Sequence, residues 1–297
     1  MSLGGRWLQL RHLLAGGPRA AWYREVVRPR ILESGPVTET VDGRVELHVL
    51  TSQRDWLDLM WGLKSFYRAS GRRYRLCIHD DGSLDDEALG ALTTHFPHGR
   101  IIPRSDADTR MDALLAEFPR TRTFRRTNVL SLKVTDFAAY LKGERMLLFD
   151  SDLLFFAEPV ALLDRLESDR YTMNGFNADV ASAYVIEPAD ALKQFGIHLL
   201  PLVNSGLGVI QHDLVRYDWL EEFLDFEPVR TGHFWRIEQT LFALSASRYG
   251  VELLPGEYAL RLEPGIDGRP FRHYVGGIRQ LLYKEGLPAL LAAGLVK

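Results

Sequence analysis

The sequence predicts an α/β fold with a Rossmann-like, mostly parallel sheet and flanking helices. Three observations predict it. Short apolar runs alternate with stretches whose apolar residues recur at helical spacing, the pattern of a doubly wound sheet. Residues 146–149 (Met-Leu-Leu-Phe) are apolar without a break, as expected for a strand buried on both faces. Thr51, Asp80 and Asp150 fall at the carboxyl ends of such runs, where open α/β sheets bind ligands.

Taken in order, residues 45–51 alternate apolar and polar side chains and read as the first strand. Ser52 is placed to cap the next helix, in which Trp56, Met60, Leu63 and Tyr67 share a face and Gly71 ends the element. Residues 74–79 read as a second strand, and Ser83 with Asp86 resembles a capping box for a helix over 84–95. Residues 100–103 read as a third strand, and a helix over 128–141 leads to the strand at 145–149. Beyond 156 the pattern is less regular: strands are expected over 171–176, 183–186 and 206–210, and helices over 214–226 and 234–247. No linker, repeat or low-complexity tract appears. The chain therefore divides into an N-terminal basic and apolar arm (1–44), a main domain (45–277) and a C-terminal helical tail (278–297).

The 297 residues are 46% hydrophobic and suffice for a sizeable core, and a net charge of −3 argues against a nucleic-acid partner. The single cysteine, Cys77, lies in an apolar run and reads as a buried structural thiol, which excludes an intrachain disulfide and suits a reducing, cytoplasmic setting. No apolar run is long enough to span a bilayer, and Arg6, Arg11 and His12 interrupt what would be a signal peptide. Segment 1–30 carries six arginines against Glu25, interleaved with Trp7, Leu8, Leu10, Leu13, Leu14 and Trp22. Two readings stand: an ordinary helix packed on the domain, or peripheral contact with an anionic membrane.

The run Phe149-Asp150-Ser151-Asp152 carries the chemistry. In extended backbone, i and i+2 project on the same side, so two carboxylates meet at the end of a buried strand. Such a pair is costly without a cation, and a hard divalent ion accepts these oxygens and bridges to phosphate. The plainer alternative is a turn cap at Asp150 with a solvated Asp152.

Further segments extend this pattern: Lys133 in the helix before the strand, Asn204-Ser205-Gly206, Glu238-Gln239, and His273-Tyr274-Val275-Gly276-Gly277-Ile278-Arg279. In this order, over roughly residues 45–280, the chain resembles glycosyltransferase family 8, retaining metal-dependent enzymes with the A-type nucleotide-sugar transferase fold. The family's Asp-x-Asp falls on Asp150 and Asp152, its basic helix residue on Lys133, its Asn-(Ser/Ala)-Gly on Asn204–Gly206. Its acidic residue and glutamine fall on Glu238 and Gln239, and its His-x-x-Gly-x-x-Lys on His273, Gly276 and Arg279. The base-binding motif looks similar at Leu50, Thr51, Ser52 and Trp56. Departures are Arg279 for lysine, the absent Pro-Trp after it, Glu238 for aspartate, and Lys133 for arginine, which keeps the charge but loses the bidentate fork.

The resemblance implies a hexosyltransferase using a nucleotide-diphosphate sugar, UDP-linked by preference. Asp150, Asp152 and His273 would ligate Mn²⁺ or Mg²⁺, the imidazole tilting the choice to Mn²⁺. Arg279, Gly276, Ser151 and Asp81 would meet the nucleotide. Lys133, Asn204, Glu238 and Gln239 would meet the sugar or phosphates and carry the reaction. The acceptor would be a saccharide, a lipid-linked sugar or a protein, and the arginine-rich arm suggests cell-surface polysaccharide or glycolipid synthesis. Plainer readings remain for each residue: His273 stacked on a neighbouring ring, Arg279 and Lys133 solvated, Gly276-Gly277 and Asp81 in turns, Gln239 a surface amide. Residues 173–176 offer no carboxylate nucleophile, and Asn174 suits a sugar pocket or a turn alike. His48 and His79 sit in strand runs and read as structural. An inverting transferase with Glu238 as base, or a non-catalytic glycan- or protein-binding relative, would be built on the same fold. A sugar nucleotidyltransferase would want a Gly-rich loop after the first strand, and none is present.

Overall fold

The strands run Val45–Thr51 (β1), Arg75–Asp80 (β2), Arg100–Ile102 (β3), Arg145–Phe149 (β4), Leu153–Phe155 (β5), Asn174–Ala178 (β6), Val203–Gln211 (β7), Val251–Leu253 (β8) and Phe271–His273 (β9). The computed structural model describes residues 16–40 and 43–296. Seven strands form one sheet in the order β3-β2-β1-β4-β7-β6-β8. β3, β2, β1 and β4 are mutually parallel, and β7 enters antiparallel to both β4 and β6. β5 and β9 form a separate antiparallel ribbon.

Strand β4 shows why unbroken apolarity marks a central strand. Leu147 and Phe149 join the core beneath the helix Trp56–Ser70 and the C-terminal segment. Met146 and Leu148 join a second core beneath the helices Ser131–Tyr140 and Phe234–Tyr249. Fixing one strand between two cores in this way sets the position of the loop that follows it, residues 150–152.

Several local expectations are corrected. The helix Trp56–Ser70 has Asp55, not Ser52, at its N-cap; the Ser52 carbonyl accepts from Asp55 and Trp56 N–H, and its hydroxyl donates to Asp55 Oδ2 (3.1 Å). The helix Asp86–His95 is capped by Asp85, whose carboxylate accepts from Ala88 N, rather than by Ser83. Residues 183–186 form no strand. Tyr184 and Ile186 are buried, but Val185 N donates to Thr240 Oγ1 and Tyr184 Oη to Leu200 O, so side chains satisfy what a sheet partner would have satisfied. Apolar residues there reported burial, not extended pairing. The helices Arg104–Leu114, Pro119–Thr127, Val160–Glu167 and Pro188–Phe195 had no place in the sequence reading.

Of the arm, residues 1–15 lie outside the described residues, and with them Arg6, Arg11, Trp7, Leu8, Leu10, Leu13 and Leu14. The described part is helical over 17–33, buries Ala20, Val27 and Ile31, and accepts a hydrogen bond from Trp61 Nε1 at Arg28 O (2.9 Å). Trp22 and Val26 remain exposed. Among the described residues no helix is long and apolar enough to cross a membrane.

Candidate active site

The carboxyl ends of β1 and β4 open into a cleft of about 1100 Å³. Its wall holds Leu50, Thr51, Ser52, Asp81, Ser151, Gly276 and Arg279, and its floor holds Lys133, Asp150, Asp152, Asn204, Glu238, Gln239 and His273. Trp56, read from sequence as part of the base-binding motif, stands outside this cleft. It is buried in the core on the first turn of its helix and does not line the cleft. Its spacing after Ser52 puts it on the helix face that packs inward.

The ribbon explains how residues far apart in sequence meet. Leu153 pairs with His273, and Tyr274 N donates to Asp152 O (2.9 Å), so His273 is set beside the turn carrying both aspartates. Its Nε2 lies 3.1 Å from Asp152 Oδ1 and 3.7 Å from Asp150 Oδ2. One ligand-competent atom from each of the three falls within a 4.8 Å span. Gly206 is part of this construction. A Cβ there would stand 2.1 Å from His273 Cε1, so the imidazole occupies the space a side chain would need. The turn is tied down by Asp150 N donating to Gly206 O (2.8 Å) and Ser151 Oγ donating to Leu50 O (2.9 Å).

The donor set suits a cation. Two carboxylates and an imidazole converge, and the buried His273 Nδ1 has no hydrogen-bond partner. A hard or borderline divalent ion matches such a mixed O/N set.

The charges are strongly coupled. Burial alone would raise the Asp152 carboxyl, but Arg279 and His273 hold it well below the usual carboxylate range. Burial alone would lower His273, yet Asp152 and Asp150 raise it. Arg279 Nη2 donates to Asp152 Oδ2 (2.9 Å), while Nη1 reaches Asp55 Oδ1 (3.2 Å) and Asp58 Oδ2 (3.1 Å). Arg279 therefore braces the Asp152 carboxylate rather than standing solvated. Asp55 and Asp58, which sequence reasoning passed over, complete this brace from the first turn of the Trp56–Ser70 helix.

Lys133 is buried and spans the floor. Its Nζ lies 2.8 Å from Asp150 Oδ1, 3.1 Å from Glu238 Oε1, and donates to Ser205 O at 2.8 Å. Burial would lower this ammonium, but Asp150 and Glu238 raise it. Burial pushes the Glu238 carboxyl up to about 7 against the pull of Lys133, with Asp150 adding to the rise. Ser205 Oγ donates to Glu238 Oε2 (2.9 Å).

On the far side of the floor a carboxylate missed in the sequence gathers two amides. Asn204 Nδ2 donates to Asp179 Oδ2 at 2.9 Å, and Gln239 Nε2 approaches the same oxygen at 3.4 Å. Asp179 follows β6, just past where the expected strand 171–176 stopped. Asn174 is buried and holds Gln211 N and Gly250 O, so it serves the sheet rather than the cleft. Asp81 lines the cleft, but its Oδ1 also accepts from Ser83 N (2.9 Å), the turn role open to it from sequence. Open space lies beside Gly276 and Gly277, at the cleft's rim.

The architecture has solved counterparts. Over 85% of this chain and 96% of theirs, it is similar to the galactosyltransferase LgtC in complex with donor and acceptor sugar analogues, at a TM-score of 0.55 and 15% identity. It is likewise similar to mouse xyloside xylosyltransferase 1 in its apo form, covering 80% of this chain and 99% of that one at a TM-score of 0.53 and 11% identity. No protein-family model matches the sequence, and no curated protein matches it. The fold is that of the A-type glycosyltransferases.

Proposed function

We propose that this chain is a metal-dependent retaining glycosyltransferase that moves a hexose from a nucleotide-diphosphate sugar, first of all a UDP-sugar, to a hydroxyl acceptor. The observation that carries this reading is the convergence of Asp150, Asp152 and His273 on the floor of a cleft with room for a nucleotide sugar. These three would hold Mn²⁺ or Mg²⁺, which when bound supplies Lewis-acid stabilisation to a departing diphosphate.

The chain's own residues do the rest. Leu50, Thr51 and Ser52 form the wall that receives the base, where parallel sheets of this kind take nucleotides. Arg279 holds Asp152 ionised, which keeps a ligand oxygen free of a proton. Lys133 stands 2.8 Å from Asp150 Oδ1 and would face the phosphates across it. Asn204 and Gln239 sit opposite, aligned by Asp179. With its NH₂ turned to Asp179, the Gln239 carbonyl oxygen is available to a sugar carbon gaining positive charge. An amide is a weak nucleophile, so a front-face reaction, in which the leaving phosphate oxygen takes the acceptor's proton, fits this floor best.

Asp179 also gives an inverting reaction a footing that Glu238 does not. Glu238 is buried under Lys133, whereas Asp179 is half-buried beside the amides and could accept a proton from an acceptor. The test is incubation of the purified chain with Mn²⁺ and a panel of UDP- and GDP-sugars, following donor hydrolysis and then the anomer transferred. Mn²⁺-dependent release of UDP with retained anomeric configuration is expected. Release of none of the donors would overturn the transferase reading, and an inverted product would move the role of base to Asp179.

A further inference from the structure

A second cluster of metal-ligating side chains lies away from the cleft, between β1 and β2. In the register of these parallel strands His48 stands opposite Cys77 and Leu50 opposite His79. His48, Cys77 and His79 therefore project from the same face of the sheet, beneath the helix Ser131–Tyr140. The Phe137 ring lies 4.5 Å from that of His79 and 5.4 Å from that of His48. All three residues are at most 1% exposed.

Their donor atoms already sit near coordination spacing. His48 Nδ1 is 3.1 Å from His79 Nε2, and Cys77 Sγ is 3.4 Å from the same nitrogen. One atom from each residue falls within a 4.8 Å span. With Zn–N near ~2.05 Å and Zn–S near ~2.3 Å, neighbouring ligand atoms of a tetrahedral site lie roughly 3.3–3.6 Å apart. The imidazole nitrogen not facing the cluster, His48 Nε2, lies 3.2 Å from Glu46 Oε2. Glu46 is itself fixed by Arg100 Nη2 (2.6 Å) and Lys142 N (2.8 Å). A carboxylate behind a histidine in this way fixes ring orientation and strengthens the ligand. His79 Nδ1, in contrast, is buried without a hydrogen-bond partner.

We infer that His48, Cys77 and His79 form a binding site for a thiophilic late first-row cation, Zn²⁺ above all, that clamps β1 to β2 beneath the nucleotide-binding wall. A thiolate with two imidazoles selects such an ion over the Mg²⁺ or Mn²⁺ suited to the carboxylate site. The fourth position falls to a small ligand such as water.

The site is testable without reference to turnover, in the full chain carrying Asp152→Ala so that the cleft's cation ligands are disabled. The protein is produced with zinc in the medium, dialysed against a weak chelator, and its metal content is measured. About one zinc per chain is expected, falling to about none when Cys77→Ala is added. Substituting Co²⁺ is expected to give a thiolate-to-cobalt charge-transfer band, absent in Cys77→Ser, with circular dichroism confirming that each variant is folded. A zinc-free protein that also takes up no Co²⁺ after metal removal and reloading would overturn the site. So would bound Co²⁺ showing no thiolate band.

Discussion

The two corners of the cleft floor are built on opposite electrostatic plans. In the charged corner, Asp150, Asp152, His273 and Arg279 lie together: Arg279 and His273 lower the Asp152 carboxyl, and the two aspartates raise His273. In the amide corner, Asn204 and Gln239 are neutral amides on a single shared carboxylate, Asp179. The first arrangement binds by charge and responds to the loss of any member. The second aligns dipoles and contributes little to holding a ligand in its ground state. In the proposed transferase, the first corner governs binding of the diphosphate and the second governs the rate of transfer.

The sharpest way to break this division is Asp152→Ala. It removes a proposed cation ligand and strips Arg279 and His273 of their main counter-charge. Several kcal/mol of transition-state stabilisation would go with the cation, so turnover should fall about 10³-fold or more, with Mn²⁺ no longer strengthening UDP binding by calorimetry. Mn²⁺-enhanced binding equal to wild type would show that the three residues are only an ion-pair network. Gln239→Ala should do the converse. Donor binding should stay near wild type while kcat falls about 10²-fold, the usual effect of removing one preorganised electrostatic group. A loss of thermal stability with no change in kcat per folded molecule would instead make Gln239 a packing residue.

Gly206→Ala tests the seam between the corners. The added methyl would meet His273 at 2.1 Å, and His273 is too buried to swing aside. Mn²⁺ affinity should drop about 10–100-fold as the imidazole is displaced, the range seen when a ligand's support is disturbed. Unchanged Mn²⁺ affinity would mean that His273 is not a ligand.

This seam also shows what the sequence could and could not convey. The strand end at Asp150 was legible because unbroken apolarity fixes a buried strand and two carboxylates after it are incompatible with burial unless compensated. The clustering of His273 with them rested on motif order, and the physical cause, the β5–β9 ribbon, has no local signal in three-residue strands. Asp179 was missed because the expected strand stops at 176, whereas β6 runs on to Ala178 past a bulge between Phe176 and Asn177 that no pattern announces. Trp56 was read toward the cleft from its match to a base-binding motif, although helical periodicity already assigned it to the core face. Asp55 and Asp58 escaped notice because acidic residues in a first helical turn ordinarily serve the helix dipole.

The smallest expected effect concerns Lys133, which joins Asp150 to Glu238 on the floor, and it is read through Glu238. Burial raises the Glu238 carboxyl from its ordinary 4.5 to about 7, Lys133 opposing the rise. The folded state therefore binds this proton more tightly than the unfolded chain. The associated stability is complete below pH 4.5 and is lost as pH rises through 7. The loss has an upper bound on the order of 3 kcal/mol. Glu238→Gln abolishes the titration while keeping a group that Ser205 and Lys133 can meet, and Lys133 retains Asp150 as its counter-ion. Denaturant unfolding at pH 5 and pH 8 should show a smaller drop in stability for the variant than for wild type, with donor binding changed less than about threefold. An identical drop in both proteins would mean that Glu238 is ionised throughout this range. It would then be a simple partner of Lys133, and the charged corner would extend across the whole floor.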